Sequence, residues 1–129
     1  MWVLDTCALI FDSLQPERLS ESAVVAIQEG TSSNSLSCAD ISLWEIAMLV
    51  EHGRLHPGCD VRKYIELVLV SRNLQVLPIT PSIAALSASV RIHGDPADRL
   101  IAATTIEHNA KLITADRKLL EAEFVPTVW

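Results

Sequence analysis

Asp5, Glu45, Asp98 and Asp116 are the residues of this chain with the most chemistry to offer as a set. Each stands near the place where one regular element gives way to another. Ionised carboxylates packed together repel and raise one another's pKa values, so a cluster of four requires a counter-charge. All-oxygen donors suit a hard divalent cation, Mg²⁺ or Mn²⁺. One or two such ions there would activate a water and stabilise the oxyanions of an in-line phosphodiester displacement. Cys7, Cys38 and Cys59 are far apart and form no Cys-x-x-Cys pair. With no cysteine or histidine ligand set, zinc is not expected.

The stretch Gly94–Asp116 supplies two of the acids. Asp95, Pro96 and Asp98 open a helix, Asn109 closes it, and Lys111 to Thr114 reads as a short buried strand. A helix of about 12 residues travels roughly 18 Å away from one edge of the fold. A strand of about four residues returns roughly 13 Å, and turn and tilt absorb the difference. Asp98 and Asp116 thereby become neighbours.

The rest of the chain reads as further alternation. Met1 to Leu4 is a strand ending at Asp5, Thr6 to Phe11 turns into a short helix, and Pro16-Glu17 begins a loop. Ser20 to Glu29 is a helix stopped by Gly30. Leu36 to Ala39 is a strand. A helix from about Ser42 turns Leu43, Ile46, Ala47 and Val50 inward, stops at Gly53, and holds Glu45 in its first turn. Trp44 and Met48 form a second apolar stripe on it, either a wide core face or a partner surface. Val61 to Ser71 is a helix with Tyr64, Leu67 and Val68 inward, and Leu74 to Leu77 a strand. Thr80-Pro81 caps a helix running to about Arg91. A short helix, Lys118 to Glu123, and a strand, Phe124 to Val128, finish the chain. Such alternation implies a single α/β domain over residues 1–129, with a mainly parallel sheet covered by helices on both faces. Ligands bind such sheets at the carboxyl ends of the strands. All four acids belong to that edge.

Three of them also have structural roles open to them. Ser42-Leu43-Trp44-Glu45 is a capping-box pattern. Asp95-Pro96-Ala97-Asp98 is a helix start with favourable dipole charges. Asp116 could be an N-terminal acid of the last helix. Asp5 is the hardest to explain away, being a charge placed between two apolar runs. Asp5 as a phosphatase or receiver-type acid is disfavoured, because Cys7 stands where an Asp-x-Asp start needs its second acid.

The 129 residues suit one core, and half of them are apolar. The mean hydropathy of +0.31 leaves apolar surface to spare for an interface. Ten basic and 16 acidic residues give a net charge of −6, which argues against affinity by bulk phosphate electrostatics but not against an acidic metal site. The run Met1–Leu4 lacks a basic flank and is broken by Asp5, so neither a signal peptide nor a membrane span is expected. The cysteines read as small, mostly buried residues of a reduced cytosolic protein.

Several motifs then fall together in order. They are Val3-Leu4-Asp5-Thr6, Ser42-Leu43-Trp44-Glu45-Ile46-Ala47, Gly53-Arg54-Leu55, Asp95 to Ala103, Leu112 to Asp116, and the ending Val125-Pro126-Thr127-Val128-Trp129. The chain resembles the PIN-domain ribonucleases over nearly its whole length, in particular the VapC-type toxins of toxin–antitoxin pairs. The resemblance implies a metal-dependent ribonuclease acting in the cytoplasm, with Asp5, Glu45, Asp98 and Asp116 as the core acids around Mg²⁺ or Mn²⁺. Asp95 is the alternative or auxiliary acid of its motif. Thr114 matches the small hydroxyl residue that supports the last aspartate, and Thr6 follows the first. Alanine stands at position 115, where a basic residue is usual, and Arg117 could take over its phosphate contact. Arg54, Arg99 and Lys118 are further cations for an RNA substrate, and Arg99 could equally pair with a neighbouring carboxylate. His93 stands close by in a loop. The resemblance also implies an antitoxin protein covering an apolar groove near the site, and a homodimer. The rival reading is a PIN-like binding module without nuclease activity, supported by the apolar surplus and by Trp44 and Met48.

Overall fold

The computed structural model describes residues 1–89 and 95–129. Five parallel strands form one sheet: β1 (Trp2–Leu4), β2 (Leu36–Ala39), β3 (Gln75–Leu77), β4 (Lys111–Ile113) and β5 (Thr127–Val128). Their order is β3-β2-β1-β4-β5. The chain builds outward from β1 through β2 to β3, then crosses back to lay β4 on the other side of β1. The order therefore reverses between β1 and β4, the place where such sheets open a crevice at their carboxyl edge.

Alternate residues of each strand feed two cores. Val3, Ala39 and Leu112 pack on one face with Ile83, Ile101 and Ala102. Leu4, Cys38 and Ile113 pack on the other with Leu9, Ile27, Ile46, Tyr64 and Val68. This two-sided burial is why the strands read as unbroken apolar runs. The helices that cover the faces are α1 (Thr6–Leu14), α2 (Glu21–Ser32), α3 (Asp40–Glu51), α4 (Val61–Ser71), α5 (Pro81–Ser89), α6 (Pro96–Glu107) and α7 (Arg117–Leu120).

Four of the helices end in the same way. After α2, α4 and α6 an asparagine (Asn34, Asn73, Asn109) adopts φ between 51° and 55°, and after α3 Gly53 adopts φ 70°. In each case the next residue's N–H reaches back to a carbonyl of the last turn: Ser35 to Gly30, Leu74 to Leu69, Ala110 to Thr105 and Arg54 to Leu49, all at 2.8–3.0 Å. These are Schellman turns, and in the first three they aim the chain straight into the next strand.

Several boundaries differ from the sequence reading. Gly30 does not stop α2, which runs on to Ser32. Its lack of a side chain serves packing instead. A Cβ there would sit 2.7 Å from Leu36 Cγ and closer still to Leu36 Cδ2, inside the core. α3 begins at Asp40, whose Oδ2 accepts the Ile79 N–H at 3.0 Å. Glu45 therefore lies in the second turn, not the first. Leu67 is 52% exposed rather than inward. The buried stripe of α4 is Tyr64, Ile65, Val68 and Leu69, and Leu67 stands about 100° round from Val68. Trp44 is 57% exposed and belongs to the surface, not the core. Pro16–Arg18 is a single 3-10 turn rather than open loop. α7 starts one residue earlier than expected, capped by Asp116, and ends at Leu120 rather than Glu123. β5 is confined to two residues because Pro126 has no N–H to give a ladder. The expected end of α5 at Arg91, and His93 and Gly94, lie outside the described residues.

Gly30→Ala should overpack Leu36 and lower stability by about 1–3 kcal/mol. Urea denaturation would read this as a lower midpoint at unchanged m-value. An unchanged midpoint would mean that α2 has room to move off the sheet.

Candidate active site

Asp5 sits at the end of β1 with 5% of its surface exposed. Its Oδ1 accepts the Thr6 N–H at 2.8 Å. Its Oδ2 accepts the Thr114 hydroxyl at 2.6 Å and the Cys7 thiol at 3.4 Å. Burial pushes its pKa up, the three bonds pull it back, and the charge of Asp116 adds to the rise. Thr114 Oγ1 also accepts the Asp116 N–H at 3.0 Å, so one buried hydroxyl ties the acids after β1 and β4 together.

Thr6 joins Asp5 to Glu45 through two groups, its N–H on Asp5 and its hydroxyl on Glu45. Its Oγ1 lies 2.5 Å from Glu45 Oε1 and 3.0 Å from Ser42 Oγ. A threonine hydroxyl has one proton to give. Both oxygens stand as acceptors for it, and the charged carboxylate of Glu45 is the stronger one beside the fully buried Ser42 hydroxyl. Ser42 is thus no helix cap, and Ser42 to Glu45 is no capping box. Burial raises the pKa of Glu45, the Thr6 bond opposes this, and Asp5 and Asp95 add to the rise.

The N-terminus of α6 separates its two acids. Asp95 is the N-cap, its Oδ1 accepting the Asp98 N–H at 3.1 Å. Asp98 is the one that faces the other acids. Burial, then the charges of Asp95, Asp5, Asp116 and Glu45, push its pKa up to about 7. Asp116 lines the site while capping α7, its Oδ1 accepting the Lys118 N–H at 2.9 Å.

All four acids line one cleft of about 380 Å³, together with Thr6, Cys7, Ile10, Leu49 and Ala115. Among the described residues no three acidic, histidine or cysteine side chains already close on a single point as a ligand set. The site is an open ring of carboxylates, held from behind by hydroxyls. Arg99, Arg117 and Lys118 do not line the cleft. Ser42, Ile10 and Leu49 escaped the sequence reading. Ser42 carried a signal, being a polar residue among apolar ones, but it was absorbed by the capping pattern.

The PIN domain family model matches residues 2–125. This chain belongs to the PIN-domain family. Among PIN-domain relatives, Ribonuclease VapC22 of Mycobacterium tuberculosis (strain ATCC 25618 / H37Rv) is 37% identical over 119 residues, covering 91% of this chain and 88% of that protein. The fold is also that of VapBC2 from Rickettsia felis bound to a DNA fragment from its promoter, with TM-score 0.75, 17% identity, and 98% and 96% of the two chains covered. DNA-bound VapBC from Salmonella typhimurium gives a TM-score of 0.71 at 19% identity, covering 98% and 95%. A mainly parallel PIN-like sheet with helices on both faces is what the sequence led one to expect, and the sheet is parallel throughout.

The raised acids give this PIN domain a definite pH response. The folded-state pKa of Asp98, about 7, lies above its ordinary value of 3.8, so the fold favours the neutral form. That contribution is fully present below about pH 4 and is lost as pH rises through about 7. Asp5 and Glu45 shift the same way. Without divalent ions, the melting temperature should fall between pH 5 and pH 8, and Asp98→Asn should flatten part of the fall. A melting temperature that climbs over this window in the metal-free protein would contradict the electrostatics described.

Proposed function

We propose that this chain is a ribonuclease that hydrolyses RNA phosphodiester bonds with Mg²⁺ or Mn²⁺, and that it is the toxin of a toxin–antitoxin pair in the cytoplasm. The observation that carries this reading is the meeting of Asp5, Glu45, Asp98 and Asp116 in one cleft, with the pKa of Asp98 raised first by burial and then by the charges of the other acids. The name and 37% identity of Ribonuclease VapC22 support the substrate class.

The donor set fits the ion. All four side chains offer oxygen, and Mg²⁺ is usually held by only one or two carboxylates while keeping several waters, so an open ring suits it. Asp5, Asp98 and Asp116 would hold the ion, with Glu45 as a further ligand or as the group that orients the attacking water. When bound, the ion supplies an activated water and neutralises charge on the scissile phosphate. The chain's own residues do the positioning. Thr114 and the Thr6 N–H fix both oxygens of Asp5. Thr6, itself bonded to Ser42, holds Oε1 of Glu45, which lines the cleft. Ile10 and Leu49 form an apolar wall beside the acids.

Partners are proposed on similar grounds. The R. felis and S. typhimurium neighbours are VapBC assemblies. Beside the acids, Ile41, Trp44, Pro96 and Ala97 line an apolar groove. An antitoxin segment would cover it, with a basic side chain reaching Glu45. A homodimer is part of the same proposal. No described helix is long and apolar enough to cross a membrane. The groove also favours a binding role, but a module that only binds has no use for mutually repelling acids.

Pure protein should cleave RNA with Mg²⁺ or Mn²⁺ and stop on addition of a chelator, and Asp5→Asn should abolish cleavage. Cleavage indifferent to chelator would end the metal mechanism. Thr6→Val should lower kcat by about 10–100-fold, the usual effect of losing a hydrogen bond that orients a metal ligand, with partial rescue by Thr6→Ser. A Thr6→Val protein with full kcat would remove the positioning role.

A further inference from the structure

Next to the carboxylate cleft lies a second cavity of about 520 Å³ that shares Ile10 and Leu49 with it. Its charge is the opposite. Arg18, Arg54 and His56 line it, with Phe11 and Gln15, and among the described residues no carboxylate does. In a chain of net charge −6 this is a local reversal of sign. Among the described residues, the side-chain ion pairs are Arg62–Glu66 and Arg72–Asp12, and neither uses Arg18 or Arg54.

Arg18 is held by its side chain and Arg54 by its backbone. Arg18 Cζ lies 4.1 Å from the centre of the Phe11 ring, and its Nη1 donates to Gln15 Oε1 at 3.2 Å. Arg54 follows Gly53 in the Schellman turn that ends α3, its N–H bonded to the Leu49 carbonyl at 2.8 Å. Leu49 is also part of the wall between the two cavities. The backbone of Arg54 is therefore fixed at the border of the acidic cleft.

We propose that this cavity is a subsite for single-stranded RNA, in which Arg54 and Arg18 take phosphates next to the scissile one and the Phe11–Arg18 pair offers a stacking face for a base. The subsite rests on the nuclease reading above. Four acids repel every phosphate except the one neutralised by the ion, so a strand threaded through the cleft needs cations where it leaves. Arg18 and Arg54 stand in the cavity that adjoins the cleft, where such a strand would leave it. Aromatic rings and guanidinium planes are the usual platforms for unpaired bases. An acidic peptide would satisfy the charge equally well. The shared wall favours the RNA, because a polymer cut in one cavity has to continue into the next.

The test separates binding from cutting. Anisotropy of a fluorescein-labelled, 12-nucleotide single-stranded RNA of mixed sequence is measured with wild-type chain in EDTA. Arg18→Ala with Arg54→Ala should weaken binding about tenfold or more. The slope of log affinity against log salt should fall by about 0.7 for each phosphate that the variant no longer neutralises. Arg18→Lys should keep the slope but lose affinity, because a lysine reaches phosphate without stacking. Arg62→Ala, on α4, should change neither. Unchanged affinity and slope in the double variant would overturn the subsite and leave the cavity to a protein partner. No RNA binding by the wild-type chain, or an equal loss in Arg62→Ala, would overturn it as well. A chain that binds through these arginines but cuts no RNA in Mg²⁺ would keep the subsite and remove the nuclease reading.

Discussion

The burial of a single carboxylate at the end of a central strand governs this structure. Asp5 closes β1 with almost no surface left to water, and desolvation of a charge is expensive unless it is bonded and neutralised. The fold meets the first need locally. The Thr6 N–H, the Thr114 hydroxyl and the Cys7 thiol all point at it. The second need is not met by the charge acting on it among the described residues, which is that of Asp116, another acid. Under the proposed function a cation would supply that neutralisation, and Glu45, Asp98 and Asp116 line the same cleft.

The topology makes the arrangement possible. β1 lies where the strand order reverses, so β2 and β4 leave it on opposite sides. α3 brings Glu45 from the β2 side. α6 and β4 bring Asp98 and Asp116 from the other. Two threonines join these contributions, Thr6 reaching to α3 and Thr114 to both Asp5 and Asp116. Neither threonine is exposed, so their bonds are made in a medium where hydrogen bonds are strong and unpaired groups costly. The Schellman turn at Gly53 extends the same economy to the cavity next door. It fixes Arg54 against Leu49, and acidic and basic surfaces come to share one wall.

The delivery of Asp98 and Asp116 to one edge could be read from sequence because it depends on element lengths and on end signals with a clear mechanism. Asp95, Pro96 and Asn109 are such signals, and they act as expected. The strands were legible because two-sided burial leaves no alternation to blur. Gly30 misled because glycine has two uses, and here close packing on Leu36 outweighed helix termination; Asn34 is the residue that turns the chain. Ser42 misled because a capping box and a buried hydroxyl relay share the same residues. Only the early start of α3 at Asp40 separates them, and Asp40 is drawn into the helix by its bond to Ile79 N–H across the sheet edge. The resemblance put Asp98 ahead of Asp95 although both stand in one turn; in the structure Asp95 caps the helix and Asp98 lines the cleft.

We propose that the four acids are a divalent cation site built on Asp5. Crystals of the protein soaked in Mn²⁺ and measured for anomalous scattering test it most directly. The account predicts a peak within about 2.2 Å of carboxylate oxygens from Asp5 and at least one of Asp98 and Asp116. A fully soaked crystal with no peak in the cleft, or with manganese only at other surface acids, would contradict it.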